Sequence, residues 1–81
     1  MKIKVRFFAT LRERVGTVEI TKEINEGSTV GELWDALQRD YPKLTQVNMT
    51  LLYAVNRDYV KTNHVLHNED EVVFIPPVSG G

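Results

Sequence analysis

Apolar residues along this chain switch between two periods, and the switches mark out its elements. From Lys2 to Ala9 they alternate, with Ile3, Val5 and Phe7 on one face and Lys2, Lys4 and Arg6 on the other. A period of two is that of a strand with one side buried. Phe8 breaks the pattern as a large aromatic on the charged side. Thr10 to Gly16 predicts a short helical turn closed by glycine, with Leu11 and Val15 one turn apart. Alternation resumes from Thr17 to Ile24 with Val18, Ile20 and Ile24 inward, as the second arm of a hairpin. Asn25-Glu26-Gly27 is turn chemistry. In Thr29-Val30-Gly31-Glu32 the hydroxyl and the carboxylate can each satisfy the other residue's backbone N–H, which makes a capping box. Val30, Leu33, Trp34, Leu37 and Tyr41 then follow at helical spacing until Pro42 ends the run. This is the one long helix, and its apolar stripe must face a sheet.

Lys43 to Thr50 predicts a loop with Leu44 and Val47 tucked beneath it. Leu51 to Val55 predicts a short, nearly all-apolar strand, and Asn56-Arg57-Asp58 a turn into a small edge strand at Tyr59-Val60. Val65-Leu66 precedes an acidic turn, Asn68-Glu69-Asp70-Glu71, and Val72 to Ile75 is the last strand. Its unbroken apolarity implies burial on both faces, or one face in the core and one against a partner. The order strand, strand, helix, strand, short strand, strand is that of an α+β fold, the ubiquitin-like β-grasp. In it a mixed sheet wraps one main helix, and the first and last strands lie parallel at its centre, joined by a crossover. Phe8 then lies beside Val73 and Ile75 on the face away from the helix. An apolar patch on so small a sheet reads as a docking surface.

Composition narrows the classes. At 81 residues, 42% apolar and 26% charged, this is one globular domain near the lower end of what folds without a staple. There is no cysteine, hence no disulfide, thiolate ligand or cysteine nucleophile. No apolar run approaches a signal-peptide core or a membrane span, so no membrane association and a cytoplasmic location are expected. The net charge of −1 gives no field to attract nucleic acid. The charge is uneven, with Lys2, Lys4, Arg6, Arg12 and Arg14 against Glu13 alone in the first stretch. No aromatic stacking pattern accompanies that strip, so it reads as a solvated edge or a match for an acidic protein partner. His64 and His67 lie near Glu69 and Asp70, but without the ligand types and spacing of a zinc site, so no metal is expected. Exposed turn carboxylates with no cleft to shift them suggest no acid–base pair.

The C-terminal residues carry the candidate chemistry. The chain ends Pro76-Pro77-Val78-Ser79-Gly80-Gly81. A glycine pair at a fixed site arises by chance in roughly 0.5% of sequences, which argues for a role. Two residues without Cβ make a tail thin enough to thread a narrow channel, and the prolines stiffen its base. The expected division is a domain over 1–75 and a flexible tail over 76–81. A slim tail bearing a free α-carboxylate is what an enzyme needs in order to activate a C-terminus as an acyl group.

Two segments carry a family resemblance. One is Phe7-Phe8-Ala9-Thr10-Leu11-Arg12-Glu13 followed by Gly16, and the other runs from Glu69-Asp70-Glu71-Val72 through Ile75 to Gly81. With Leu52-Tyr53-Ala54-Val55-Asn56 between them, the chain resembles the MoaD/ThiS family of sulfur carriers, most nearly its molybdopterin synthase branch. The resemblance implies that a ubiquitin-activating-like adenylyltransferase uses ATP to adenylate Gly81. A sulfur donor then displaces AMP and leaves a thiocarboxylate. It implies that the tail, Val78, Ser79 and Gly80 with Gly81, enters the large subunit of molybdopterin synthase and gives sulfur to a pterin precursor in molybdenum cofactor biosynthesis. The chain has no phosphate-cradling glycine loop of its own, so no bound cofactor is expected and it is non-catalytic alone. Phe8, Arg12, Tyr59 and Ile75 are the expected partner contacts. A ubiquitin-like protein modifier shares the same tail chemistry up to the adenylate, and a thiamine-type sulfur carrier is a further alternative. One departure stands out, because the turn before Asp70 usually holds glycine in this family and here holds Glu69.

Overall fold

The structure, a computed structural model, describes residues 1–46 and 51–76. The elements follow the switches of period. β1 (Lys2–Phe7) leads into α1 (Thr10–Val15) and β2 (Glu19–Glu23), and α2 (Val30–Asp40) and a 3-10 helix (Pro42–Gln46) come next. β3 (Leu52–Val55), β4 (Asp58–Val60) and β5 (Glu71–Ile75) complete the chain. The sheet runs β2-β1-β5-β3-β4, with β1 and β5 parallel and every other pair antiparallel. This is the ubiquitin-like β-grasp expected from the order of elements. Among the described residues no helix is long and apolar enough to cross a membrane.

The pairing register sorts side chains into two faces. On the helix side, Phe7, Phe74, Tyr53 and Val60 form one row across four strands. Ile20, Val5, Val72 and Val55 form the next. Val30, Leu33 and Leu37 of α2 pack on them, all fully buried with Leu11, Leu44 and Phe74. The capping box forms as read from the sequence, with Glu32 N–H donating to the Thr29 hydroxyl at 3.2 Å and Thr29 N–H to the Glu32 carboxylate at 3.0 Å. Val30 and Gly31 N–H find the carbonyls of His64 and Thr62 at 3.0 and 2.9 Å, so the start of the helix is satisfied by the strap that crosses it.

Three expectations need correction. Val18 is 42% exposed, because β2 begins one residue later and Val18 lies at the corner of an edge strand. Its carbonyl still accepts from Phe7 N–H at 2.9 Å. The loop after α2 begins as a 3-10 helix, which Pro42 opens with a preset φ and Thr45 tightens by donating its hydroxyl to the Pro42 carbonyl at 2.6 Å. Leu44 is buried beneath it as expected, and Val47 lies outside the described residues. Asp58 joins β4 because Asn56 and Arg57 (φ 49° and 76°) complete a two-residue hairpin turn.

The departure at position 69 has a visible consequence. Glu69 sits at φ 69°, in the left-handed region, while its N–H donates to the Lys2 carbonyl at 2.7 Å. The left-handed conformation costs a residue with Cβ about 1–2 kcal/mol, and glycine's extra unfolded freedom offsets about 0.5–1 of that. Glu69→Gly is therefore expected to raise stability by roughly 0.5–1 kcal/mol. The check is a urea midpoint that rises at constant m-value. An unchanged midpoint would mean that the turn relaxes around glutamate without strain.

Candidate functional site

The face away from the helix is assembled by the same register. One row runs Glu19, Arg6, Val73, Ala54, Tyr59 across all five strands. The next toward the tail pairs Leu52 with Ile75, and Phe8 follows β1 at that level. The face is therefore split. The β1–β2 half is charged, with Lys2 opposite Glu23, Lys4 opposite Thr21 and Arg6 opposite Glu19. The β5–β3–β4 half is apolar and open, with Tyr59 72% exposed and Leu52 49%, and Phe8, 47% exposed, borders it from the end of β1. Solvent-facing apolar side chains clustered on one side of a small sheet mark a contact surface. At the β3–β4 edge of the sheet, residues of both faces, Leu51, Leu52, Tyr53, Tyr59, Val60, Lys61 and Thr62, line a groove of about 530 Å³. Burial pushes the Tyr53 phenol above its ordinary value, so it stays a neutral hydroxyl beside the groove.

Of the residues singled out in the sequence, Tyr59 and Ile75 lie on this half, on β4 and β5 with β3 between them, and Phe8 borders it at the end of β1. Arg12 is exposed on α1, one turn after Phe8, where Leu11 and Arg12 N–H donate to the Phe8 and Ala9 carbonyls at 3.1 Å. Ala9 makes this sharp turn at φ 51°, ψ −126°. Pro76, the last described residue, is buried just past the end of β5, the central strand of the sheet. Val78, Ser79, Gly80 and Gly81 lie outside the described residues. Leu52 was missed as a surface residue. The signal was there, since in an all-apolar strand every second residue must leave the core.

At the far end of the sheet the acidic turn is structural. Asp70 accepts from the Asn56 amide at 2.9 Å and from His67 N–H at 2.8 Å, and Asn56 Oδ1 accepts from Glu71 N–H at 3.0 Å. Asn68 accepts from Lys2 N–H at 2.8 Å. These bonds tie two turns to the start of β1. Among the described residues no group of three or more His, Asp or Glu is placed to hold a metal ion.

The likeness of the whole chain to known proteins identifies its family. The chain matches the model of the ThiS family over residues 5–81. It belongs to the ThiS family. Within that family, the Escherichia coli protein named molybdopterin synthase sulfur carrier subunit is 44% identical over 81 residues, covering 98% of this chain and 99% of its own. The SAMP1 protein of Haloferax volcanii, a small archaeal modifier protein, superposes with a TM-score of 0.90 at 25% identity over the full length of both chains. A chain in the complex of subunits 1 and 2 of the Helicobacter pylori molybdopterin-converting factor matches with a TM-score of 0.69 at 24% identity over both full lengths, a likeness of fold. The family expected from the two motifs and the fold expected from the order of elements are those found.

Proposed function

We propose that this chain is the sulfur carrier subunit of a molybdopterin synthase, working in the cytoplasm with no bound cofactor. The observation that carries the reading is membership of the ThiS family over residues 5–81 together with 44% identity to a relative of that name. In this reading a separate adenylyltransferase joins the Gly81 carboxylate to AMP, with pyrophosphate as the product from ATP. A carboxylate resists nucleophiles, and the phosphoanhydride supplies the leaving group it lacks. Sulfur from a donor attacks the acyl carbon, the bond to AMP breaks, and a thiocarboxylate remains. In the large subunit that sulfur bonds to a carbon of the pterin precursor as an oxygen leaving group departs, and water then cleaves the acyl C–S bond, returning the carboxylate and leaving the sulfur on the pterin. Two such deliveries, one per carrier, build a dithiolene. The chain supplies the nucleophile and the docking face, and the large subunit supplies the acid–base groups. Neither nucleic acid nor membrane enters the scheme.

The absence of cysteine makes the test clean. The chain is incubated with its adenylyltransferase, ATP and a sulfur source, then treated with a thiol alkylator and weighed intact and as its C-terminal peptide. Alkylation at Gly81 reports a thiocarboxylate, since no side-chain thiol exists. An unmodified Gly81 beside a competent activating enzyme refutes the carrier reading. The likeness to SAMP1 supports a second reading, in which a lysine of another protein captures the activated Gly81 in an isopeptide bond. Covalent conjugates in cell extracts, without thiocarboxylate, would favour it.

The docking face makes its own prediction. Phe8 is 47% exposed, so Phe8→Ala is expected to change stability by only about 0.5 kcal/mol. As an aromatic anchor it should weaken binding to the large subunit by about 2 kcal/mol, roughly thirtyfold in Kd. Calorimetric titration checks it, and an unchanged Kd removes Phe8 from the interface.

A further inference from the structure

Arg6 lies on the boundary between the two halves of the outer face. Its neighbours by register are Glu19 on one side and Val73 on the other, and beyond Val73 come Ala54 and Tyr59 of the apolar half. Its one ion pair is loose, with Nε 3.7 Å from a Glu19 carboxylate oxygen and the two side chains 42% and 45% exposed. Nε itself is covered and has no hydrogen-bond partner. Among the described residues it is the one covered side-chain nitrogen or oxygen left so. A guanidinium forms strong bonds when a carboxylate meets its fork at about 2.7–2.9 Å, and a contact at 3.7 Å leaves that capacity unused. Nε is covered by the chain itself, so the exposed remainder of the Arg6 side chain is what an incoming carboxylate would meet, with Glu19 the distant ion-pair partner it has among the described residues.

We propose that Arg6 is a specificity-determining residue of the docking face, taking a carboxylate from the large synthase subunit as Phe8, Leu52, Tyr59 and Ile75 take its apolar surface. The proposal rests on the carrier reading above and adds to it the chemistry required of the partner: an aspartate or glutamate bordering an apolar ridge. Charge argues for this occupant. Arg6 shares its strand face with Lys2 and Lys4, so the border of the patch presents cations to an approaching partner. Burial of the apolar half on docking removes water from the flank of Arg6, where a paired charge is strengthened and an unpaired one is penalised. Glu19 then acts as a placeholder that holds the guanidinium until the partner's carboxylate replaces it. Arginine suits the task better than lysine, because its planar fork binds a carboxylate bidentately.

The test titrates the full chain against its large subunit and follows the melting temperature of each variant. Arg6→Gln is expected to raise Kd about ten- to a hundredfold and to flatten its salt dependence, with the melting temperature little changed. Arg6→Lys should recover part of that loss. Glu19→Gln removes the competing carboxylate and should tighten binding by up to about fivefold, an effect that disappears in the Arg6→Gln background. Binding that ignores Arg6→Gln, or Glu19→Gln tightening that persists without Arg6, overturns the proposal and leaves the carrier reading intact. Failure of the unaltered chain to bind any large subunit sinks both.

Discussion

Deletion of Gly81 is expected to leave a folded chain with no pterin-sulfurating activity. The structural half of that expectation comes from where the fold ends. The last paired residue of the central β5 is Ile75, and among the described residues the hydrophobic core cluster reaches no further than Phe74, with Pro76 the last buried residue. Removing one residue beyond that should move stability by less than about 0.5 kcal/mol. The functional half is all-or-none, because in the proposed reaction the oxygen that sulfur replaces belongs to the terminal carboxylate itself. Deletion places that carboxylate on Gly80, one residue of chain (at most about 3.6 Å) short of its reach. A non-cleavable extension past Gly81 should be equally inactive, since an internal amide offers no carboxylate to adenylate. The measurement is product formation in a reconstituted system beside a thermal melt. Full activity in either variant would remove Gly81 from the chemistry and favour a β-grasp module that acts by binding alone.

What was legible in the sequence depended on whether a property is local. Periods of two and 3.6, a capping box and a proline stop are local, and the strands and α2 are found within a residue or two of where these place them. The corrections fall where position in the sheet decides. Val18 continues an inward alternation, yet it lies at a corner where burial runs out. Leu52 and Tyr53 are both apolar-strand residues, but only the pairing with Ile75 and Phe74 tells which one meets solvent. The loose pairing of Arg6 is likewise invisible until β1 is laid against β2. Glu69 is the converse case, in which a turn that favours glycine was read from the motif and the positive φ followed.

Neighbouring residues of β5 should fail in opposite ways, and the more severe is Phe74→Ala. Phe74 is fully buried at the centre of the sheet. Its ring lies 5.0 Å from Trp34 and 5.7 Å edge-on from Tyr53, with Phe7 stacked at 6.4 Å. It thus joins α2, β1 and β3 through one side chain. Truncating a buried phenylalanine costs about 3–5 kcal/mol in transfer and cavity terms. A domain of this size holds roughly 4–12 kcal/mol in total, so Phe74→Ala should be largely unfolded in mild urea and close to unfolded in water at the low end of that range. Ile75 points to the other face and is only partly covered, so Ile75→Ala should keep the fold and lose affinity for the large subunit instead. Urea unfolding and titration of both variants separate the two roles. A loss below about 1.5 kcal/mol for Phe74→Ala would mean that the core collapses to fill the space, and the ring cluster would not be what holds β5 central. Equal losses of stability at the two positions would contradict the division of β5 into a core side and a docking side. That division lets one strand anchor the body while presenting a partner surface at the root of the tail.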